Sequence, residues 1–167
     1  MFDTSGINLL GSPVWDCYRR TNKSNTFTAN DDGSYRLYYT RSGSSSAYDD
    51  YDTVGATFEN LIKTNGASKV TVTYMFDSSA EADNGLDIQH WIRAVDSTEV
   101  NCGYDDLSYY DSVEIVTYSY QPIATLGTLH TVTLDVSECD SFYLQFLFRT
   151  YVNHKTATHI YNVTLTD

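Results

Sequence analysis

LDIQHWIRAV, Leu86 to Val95, decides how the rest of the chain is read. With period two it sorts Ile88, His90, Ile92 and Ala94 to one side and Asp87, Gln89, Trp91, Arg93 and Val95 to the other. The first side is largely apolar, as a strand covering a core requires. The second, which ought to meet water, carries a tryptophan between a glutamine and an arginine. That side is either a binding surface or a second buried layer.

The same division returns in SFYLQFLFRTY (Ser141–Tyr151). Phe142, Leu144, Phe146, Phe148 and Thr150 make one face; Tyr143, Gln145, Leu147, Arg149 and Tyr151 make the other. SVEIVTYSY (Ser112–Tyr120) sets Val113 and Ile115 inward and Glu114, Tyr118 and Tyr120 outward. SYRLYYT (Ser34–Thr40) sets Arg36 and Tyr38 opposite Leu37. Further strand signals are GINLL (Gly6–Leu10), SKVTVTYMF (Ser68–Phe76), TLHTVTLDV (Thr128–Val136) and THIYNVTLT (Thr158–Thr166), with shorter ones in NTFTA and VGATF. Each is rich in β-branched or aromatic residues, and turn formers such as NDDGS, KTNGAS, EADNG and ECDS separate them. No segment of ten residues sustains helical spacing. FENLI comes nearest, with Phe58, Leu61 and Ile62 offering one turn before Asn65-Gly66 ends it.

Many strands and almost no helix predict an all-β fold: a single antiparallel two-sheet β-sandwich of jelly-roll type spanning 1–167. Its expected core is Leu37, Val70, Val72, Tyr74, Phe76, Ile88, Ile92, Val132, Leu134, Phe142, Leu144, Phe146 and Val163. His90 and His130 fall on apolar faces and read as satisfied core histidines.

The chain has 22 Asp plus Glu against 10 Lys plus Arg, a formal net charge of −12. Such a field repels phosphate backbones and anionic bilayers, so neither nucleic acid nor membrane is an expected partner. A neutral ligand or a calcium ion is not disfavoured. No apolar run approaches the length of a membrane span, and MFDTSGINLL lacks the basic region of a signal peptide. Cys17, Cys102 and Cys139 are odd in number and contain no CxxC. Three buried thiols, or one disulfide with a free thiol, both fit.

If the strands described above share one sheet, its non-core face presents Trp91, Tyr143, Tyr151, Tyr118 and Tyr38 among Gln89, Gln145, Arg93 and Arg149. A pyranose packs its C–H face on an aromatic ring, while amides and guanidinium groups bond its hydroxyls. Carbohydrate is therefore the expected partner. Catalysis has no support: the acidic pairs sit in turn-like stretches, the histidines show no metal spacing, and no nucleophile motif appears. The acidic stretch DSSAEADNGLD does not match an EF-hand loop.

Asn8-Leu9-Leu10 near the start and His159-Ile160-Tyr161-Asn162-Val163-Thr164-Leu165 at the end, with DDGSYRLYY and ASKVTVTYMFDSS between, carry a family resemblance. The chain resembles non-catalytic carbohydrate-binding modules of the galactose-binding-like jelly-roll type. Similar domains occur in bacteriophage tail proteins. The resemblance implies a glycan-binding domain, extracellular or on a virion or cell surface, attached to other domains of a larger enzyme or virion protein. Its alternative is a structural or host-attachment domain of a tail, virion or cell-surface assembly. GSPVWDC departs from the family's Asn-Gly-x-Phe-Glu stretch, and Tyr161 stands where the family often has an aspartate that helps hold calcium. The family implies no essential cofactor. The one ion it suggests, a structural calcium, would lie near the chain ends at Asp3 and Asp167.

Overall fold

The computed structural model describes residues 6–17, 23–41, 52–77, 88–96, 98, 115–120, 126–150 and 155–167. At 16–17, 23–24, 41, 52–53, 88–89, 115–120, 149–150 and 156 it describes the strand but not the side chain. Eleven strands follow one another: β1 (Pro13–Cys17), β2 (Lys23–Ala29), β3 (Tyr35–Arg41), β4 (Asp52–Phe58), β5 (Ile62–Lys63) and β6 (Lys69–Phe76), then β7 (Ile88–Val95), β8 (Ile115–Tyr120), β9 (Leu129–Asp135), β10 (Ser141–Thr150) and β11 (Lys155–Thr166). A six-stranded sheet runs β1-β4-β10-β7-β8, with β5 extending β10, and a five-stranded sheet runs β2-β3-β11-β6-β9. Every strand pair is antiparallel. This is the all-β jelly-roll sandwich that the alternation predicts.

The core is what period two selects. Phe142, Leu144, Phe146 and Phe148 of β10 face Val70, Val72, Tyr74 and Phe76 of β6 within one buried cluster that also takes in Leu37, Ile92, Val132, Leu134 and Val163. Ile88, expected in the core, lies where the side chain is not described. Two of the turns follow from local chemistry. Asn65 (φ 51°) and Gly66 (φ 91°) supply the left-handed backbone between β5 and β6. In NDDGS the Asp32 carboxylate accepts from the Ser34 amide (2.9 Å) and hydroxyl (2.6 Å), which holds its pKa below the ordinary value.

Four expectations need correction. GINLL is not a strand: Ile7–Leu9 form a 3-10 turn. Ile7 and Leu10 are both buried while Asn8 and Leu9 are exposed, and a turn brings i and i+3 to one side where a strand would separate them. FENLI supplies no helical turn, because Phe58 ends β4 and Ile62 opens β5 to pair with Phe142. SVEIVTYSY does not keep one register: its pairing with β7 shifts between Ala94 and Val95, where Ile115 stands opposite Val95 with a side chain that is not described. Val113 and Glu114 lie outside the described residues. Tyr38 belongs to β3 and so to the other sheet, where the Arg36 guanidinium lies 4.9 Å from its ring centroid.

The start and the end of the chain close on one another. The Gly6 amide donates to Asn162 Oδ1 (3.2 Å), at a bulge of β11 between Ile160 and Asn162. A Cβ on Gly6 would fall on the Val163 carbonyl oxygen and come within 2.6 Å of Asn162 Oδ1. On the outer side of the five-stranded sheet, Asp77 Oδ2 takes Arg36 Nε (2.7 Å) and His159 Nε2 (2.9 Å), joining β3, β11 and the end of β6. Inside the sandwich a chain of rings runs from His130 through Phe76 and His90 to Phe148, with centroid separations of 6.3, 4.6 and 5.1 Å. His90 is buried as expected. His130 is half-buried, and its Nε2, contrary to the expectation of a satisfied histidine, has no hydrogen-bond partner among the described residues. Cys139 is a half-buried free thiol whose pKa burial raises; the Cys17 side chain and all of Cys102 lie outside what is described.

Two outcomes follow from this packing. Gly6→Ala should destabilise the domain by about 1–3 kcal/mol, as overpacking does, read from the urea midpoint. Burial pushes the His90 pKa down from 6.5 to about 3. The unfolded chain therefore binds this proton first, so His90 costs nothing above pH 6.5 and removes stability as pH falls from there towards 3. That loss approaches about 1.4 kcal/mol per pH unit. Urea unfolding of wild type and His90→Leu at pH 7 and pH 4 should show the smaller decrease in the variant.

Candidate functional site

The register of β10 with its neighbours builds the outer face of the six-stranded sheet rung by rung. One rung runs Val14, Thr57, Gln145, Arg93 and Tyr118 across β1, β4, β10, β7 and β8. The next runs Asp16, Gly55, Leu147, Trp91 and Tyr120. Beyond it Arg149 stands between Thr53 and Gln89, and on the opposite flank Tyr143 pairs with Val95. Paired residues share a face. Trp91, Arg93, Gln145 and Tyr143 thus occupy one side of one sheet, the side turned from the core, and Gln89, Arg149 and Tyr118 hold backbone positions in register with them.

Occupying a face is not the same as being open on it. Trp91 and Tyr143 are half-buried, and Val14 is exposed. Between them Gln145 is 0% exposed and Arg93 2%, and Thr57, Leu147 and Val95 are as deeply buried. The polar members of this buried strip are bonded along their rung. Arg93 Nε donates to Gln145 Oε1 at 2.6 Å, and Gln145 Nε2 donates to Thr57 Oγ1 at 2.9 Å. Arg93 and Gln145, expected as groups presented to a sugar, are therefore inner members of a three-strand network.

For the remaining expected residues the structure gives positions alone. Gln89, Arg149 and Tyr118 are placed by register, with side chains that are not described, and Tyr151 lies outside the described residues altogether. Thr57 is the residue that reading the sequence missed. The local signal is its alternation with Val54, Ala56 and Phe58, but nothing local shows that β4 lies beside β10.

Asp3 lies outside the described residues. Asp167 is exposed, and its backbone carbonyl accepts from Lys69 Nζ at 3.4 Å. Among the described residues no three His, Cys, Asp or Glu side chains are grouped to hold a metal, and no helix is long and apolar enough to cross a membrane.

No protein-family model and no curated protein matches the sequence. Solved structures do. One concerning the promiscuous specificity of carbohydrate-binding modules of the β-sandwich superfamily superposes with a TM-score of 0.56 at 12% identity over 99% of this chain. The chain spans 61% of the length of that one. A family 11 carbohydrate-binding module from a Clostridium thermocellum cellulosomal cellulase gives a TM-score of 0.47 at 12% identity, covering 99% of this chain and 92% of the module. The enzymatically active domain of a bacteriophage CBA120 tailspike protein gives 0.49 at 7% identity, covering 93% of this chain and 19% of its own. The likeness to the first is one of fold: the chain has the β-sandwich fold found among carbohydrate-binding modules.

Calcium at the chain ends has a direct test in thermal unfolding. The Lys69 ammonium already lies 3.4 Å from the Asp167 carbonyl oxygen, so millimolar calcium added to chelated protein should leave Tm unchanged. A rise in Tm, lost in Asp167→Asn, would place an ion there.

Proposed function

We propose that the chain is a non-catalytic carbohydrate-binding domain that receives glycan on the outer face of the six-stranded sheet, against Trp91. The observation that carries this reading is the position of Trp91. It is half-buried, outside the core cluster, on the face turned from the core and beside a bonded rung of Thr57, Gln145 and Arg93. A sugar suits such a place because a pyranose offers a C–H face for the indole and hydroxyls for polar neighbours. The field of a −12 chain does not oppose a neutral ligand. Binding of this kind needs no catalytic group. Its setting is extracellular or on a cell or virion surface, where glycans are displayed, with other domains of a larger enzyme or virion protein as neighbours in the chain.

A second reading rests on a different observation. Val14 is apolar, lies on the same outer face and is exposed, as it would be in a domain whose Trp91 face packs on protein in a tail or surface assembly.

A broad glycan array separates the two, followed by affinity electrophoresis in gels containing the polysaccharides that score. Mixed-linked β-1,3-1,4-glucan, the linkage of the tetrasaccharide bound by one structural neighbour, is the first gel to run. Trp91→Ala should fold with a Tm close to wild type and lose about 1–3 kcal/mol of glycan affinity, the range for truncating an aromatic anchor. Unfolding of Trp91→Ala would return the indole to the core. A folded wild type that leaves the whole array blank overturns the sugar reading in favour of the assembly.

A further inference from the structure

The rung Thr57–Gln145–Arg93 has a composition that fold stability does not call for. Each member stands on the side of the sheet turned from the core, yet each is closed to solvent, at 0%, 0% and 2% exposure. Burying a hydroxyl, an amide and a guanidinium there costs desolvation that apolar side chains would avoid, and matched hydrogen bonds return only part of it. The adjacent rung shows the apolar solution on the same strands: Gly55 on β4, Leu147 on β10 and Trp91 on β7. Polar groups retained at such a cost mark places where geometry, not stability, is being held.

The connectivity is directional. Thr57 Oγ1 accepts from the Gln145 amide nitrogen, which fixes which way round the amide lies. That leaves Oε1 towards β7, where it accepts from Arg93 Nε at 2.6 Å and sets the plane of the guanidinium. Arg93 is the next residue but one to Trp91 on the same face of the same strand. Thr57 and Gln145, being fully enclosed, do not reach a ligand lying on that face.

We infer that Thr57 and Gln145 are positioning residues of the Trp91 face: they orient Arg93, and Arg93 sets the floor against which the Trp91 ring is held for sugar. The inference rests on the proposed glycan-binding function and adds to it the residues that tune it from beneath.

Thr57→Val is the decisive variant, since it keeps the shape and removes the hydroxyl; Thr57→Ser restores the hydroxyl. Retention is measured in gels containing mixed-linked β-1,3-1,4-glucan, β-1,4-galactan or xylan and on the glycan array. In parallel, 5-fluorotryptophan-labelled protein is followed by ¹⁹F NMR. The chain has 2 Trp, and Trp15→Phe assigns the line of Trp91. Thr57→Val should weaken glycan retention roughly 3- to 10-fold, as loss of a single hydrogen bond allows, and shift the Trp91 line. Thr57→Ser should restore both. If Thr57→Val does not fold, Gln145→Met, which keeps the length of the side chain but removes both the acceptor for Arg93 and the donor to Thr57, takes its place with the same expected loss. Wild-type retention in the variant, whatever happens to its Tm, would reduce the rung to a brace of the fold and leave the glycan reading standing. A wild type that binds no glycan on the array removes the glycan reading itself, and this inference with it.

Discussion

β10 is hydrogen-bonded to β4 along one edge and to β7 along the other, and those two registers fix which side chains share each face of the six-stranded sheet. Phe142, Leu144, Phe146 and Phe148 give one side wholly to the core, so the intervening residues have no choice of side. Gln145 and Leu147 are buried as well. A central strand enclosed on both faces cannot slip by one residue without exchanging four large apolar side chains for Tyr143, Gln145, Leu147 and Arg149. The positions of Trp91, Arg93 and Thr57 follow from that one constraint.

The two outer faces solve their polar problem differently. On the five-stranded sheet, polar groups bond to one another near the surface: Thr71 and Thr133 hydroxyls meet at 3.0 Å, and Asp77 gathers Arg36 and His159. These groups remain partly hydrated, so their bonds cost little and stabilise little. On the six-stranded sheet the bonded groups are fully enclosed, where leaving any one of them unmatched is costly. Enclosure raises the stakes of each bond. A change as small as one hydroxyl in the lower rung should therefore be felt at Trp91, whereas the same change at Thr133 should not travel.

Period-two alternation made the fold legible, because burial on one side of a strand is a local property of its own residues. It read correctly the strands that carry the core, from Leu37 to Val163. It failed where the backbone leaves the period, at the turn that puts Ile7 and Leu10 on one side and at the bulge opposite Ala94 and Val95. It also could not see neighbours. Tyr38 was grouped with Trp91 because both strands have an aromatic outer face, yet jelly-roll crossovers put β3 and β7 in different sheets. Thr57 was passed over for the converse reason: its partner Gln145 is 88 residues away, and adjacency over that distance belongs to topology.

The same distinction answers the question raised by QHWIR (Gln89–Arg93). A strand whose second face carries Gln, Trp and Arg can face a ligand or be covered, and the sequence treats these as alternatives. In the structure closed and half-buried residues stand side by side on one face. Arg93 and Gln145 are closed to solvent and bonded strand to strand, and Trp91 and Tyr143 on the same face are half-buried. On the proposed reading the bonded polar groups are a floor for the Trp91 ring, and such a support loses little entropy when a flat ligand arrives, since it is already ordered. Ordering that floor has already been offset by the fold, through the β10 core on the other side of the same sheet. Stability on one face thus makes a pre-organised surface possible on the other, and this is the sense in which the core phenylalanines serve the proposed site.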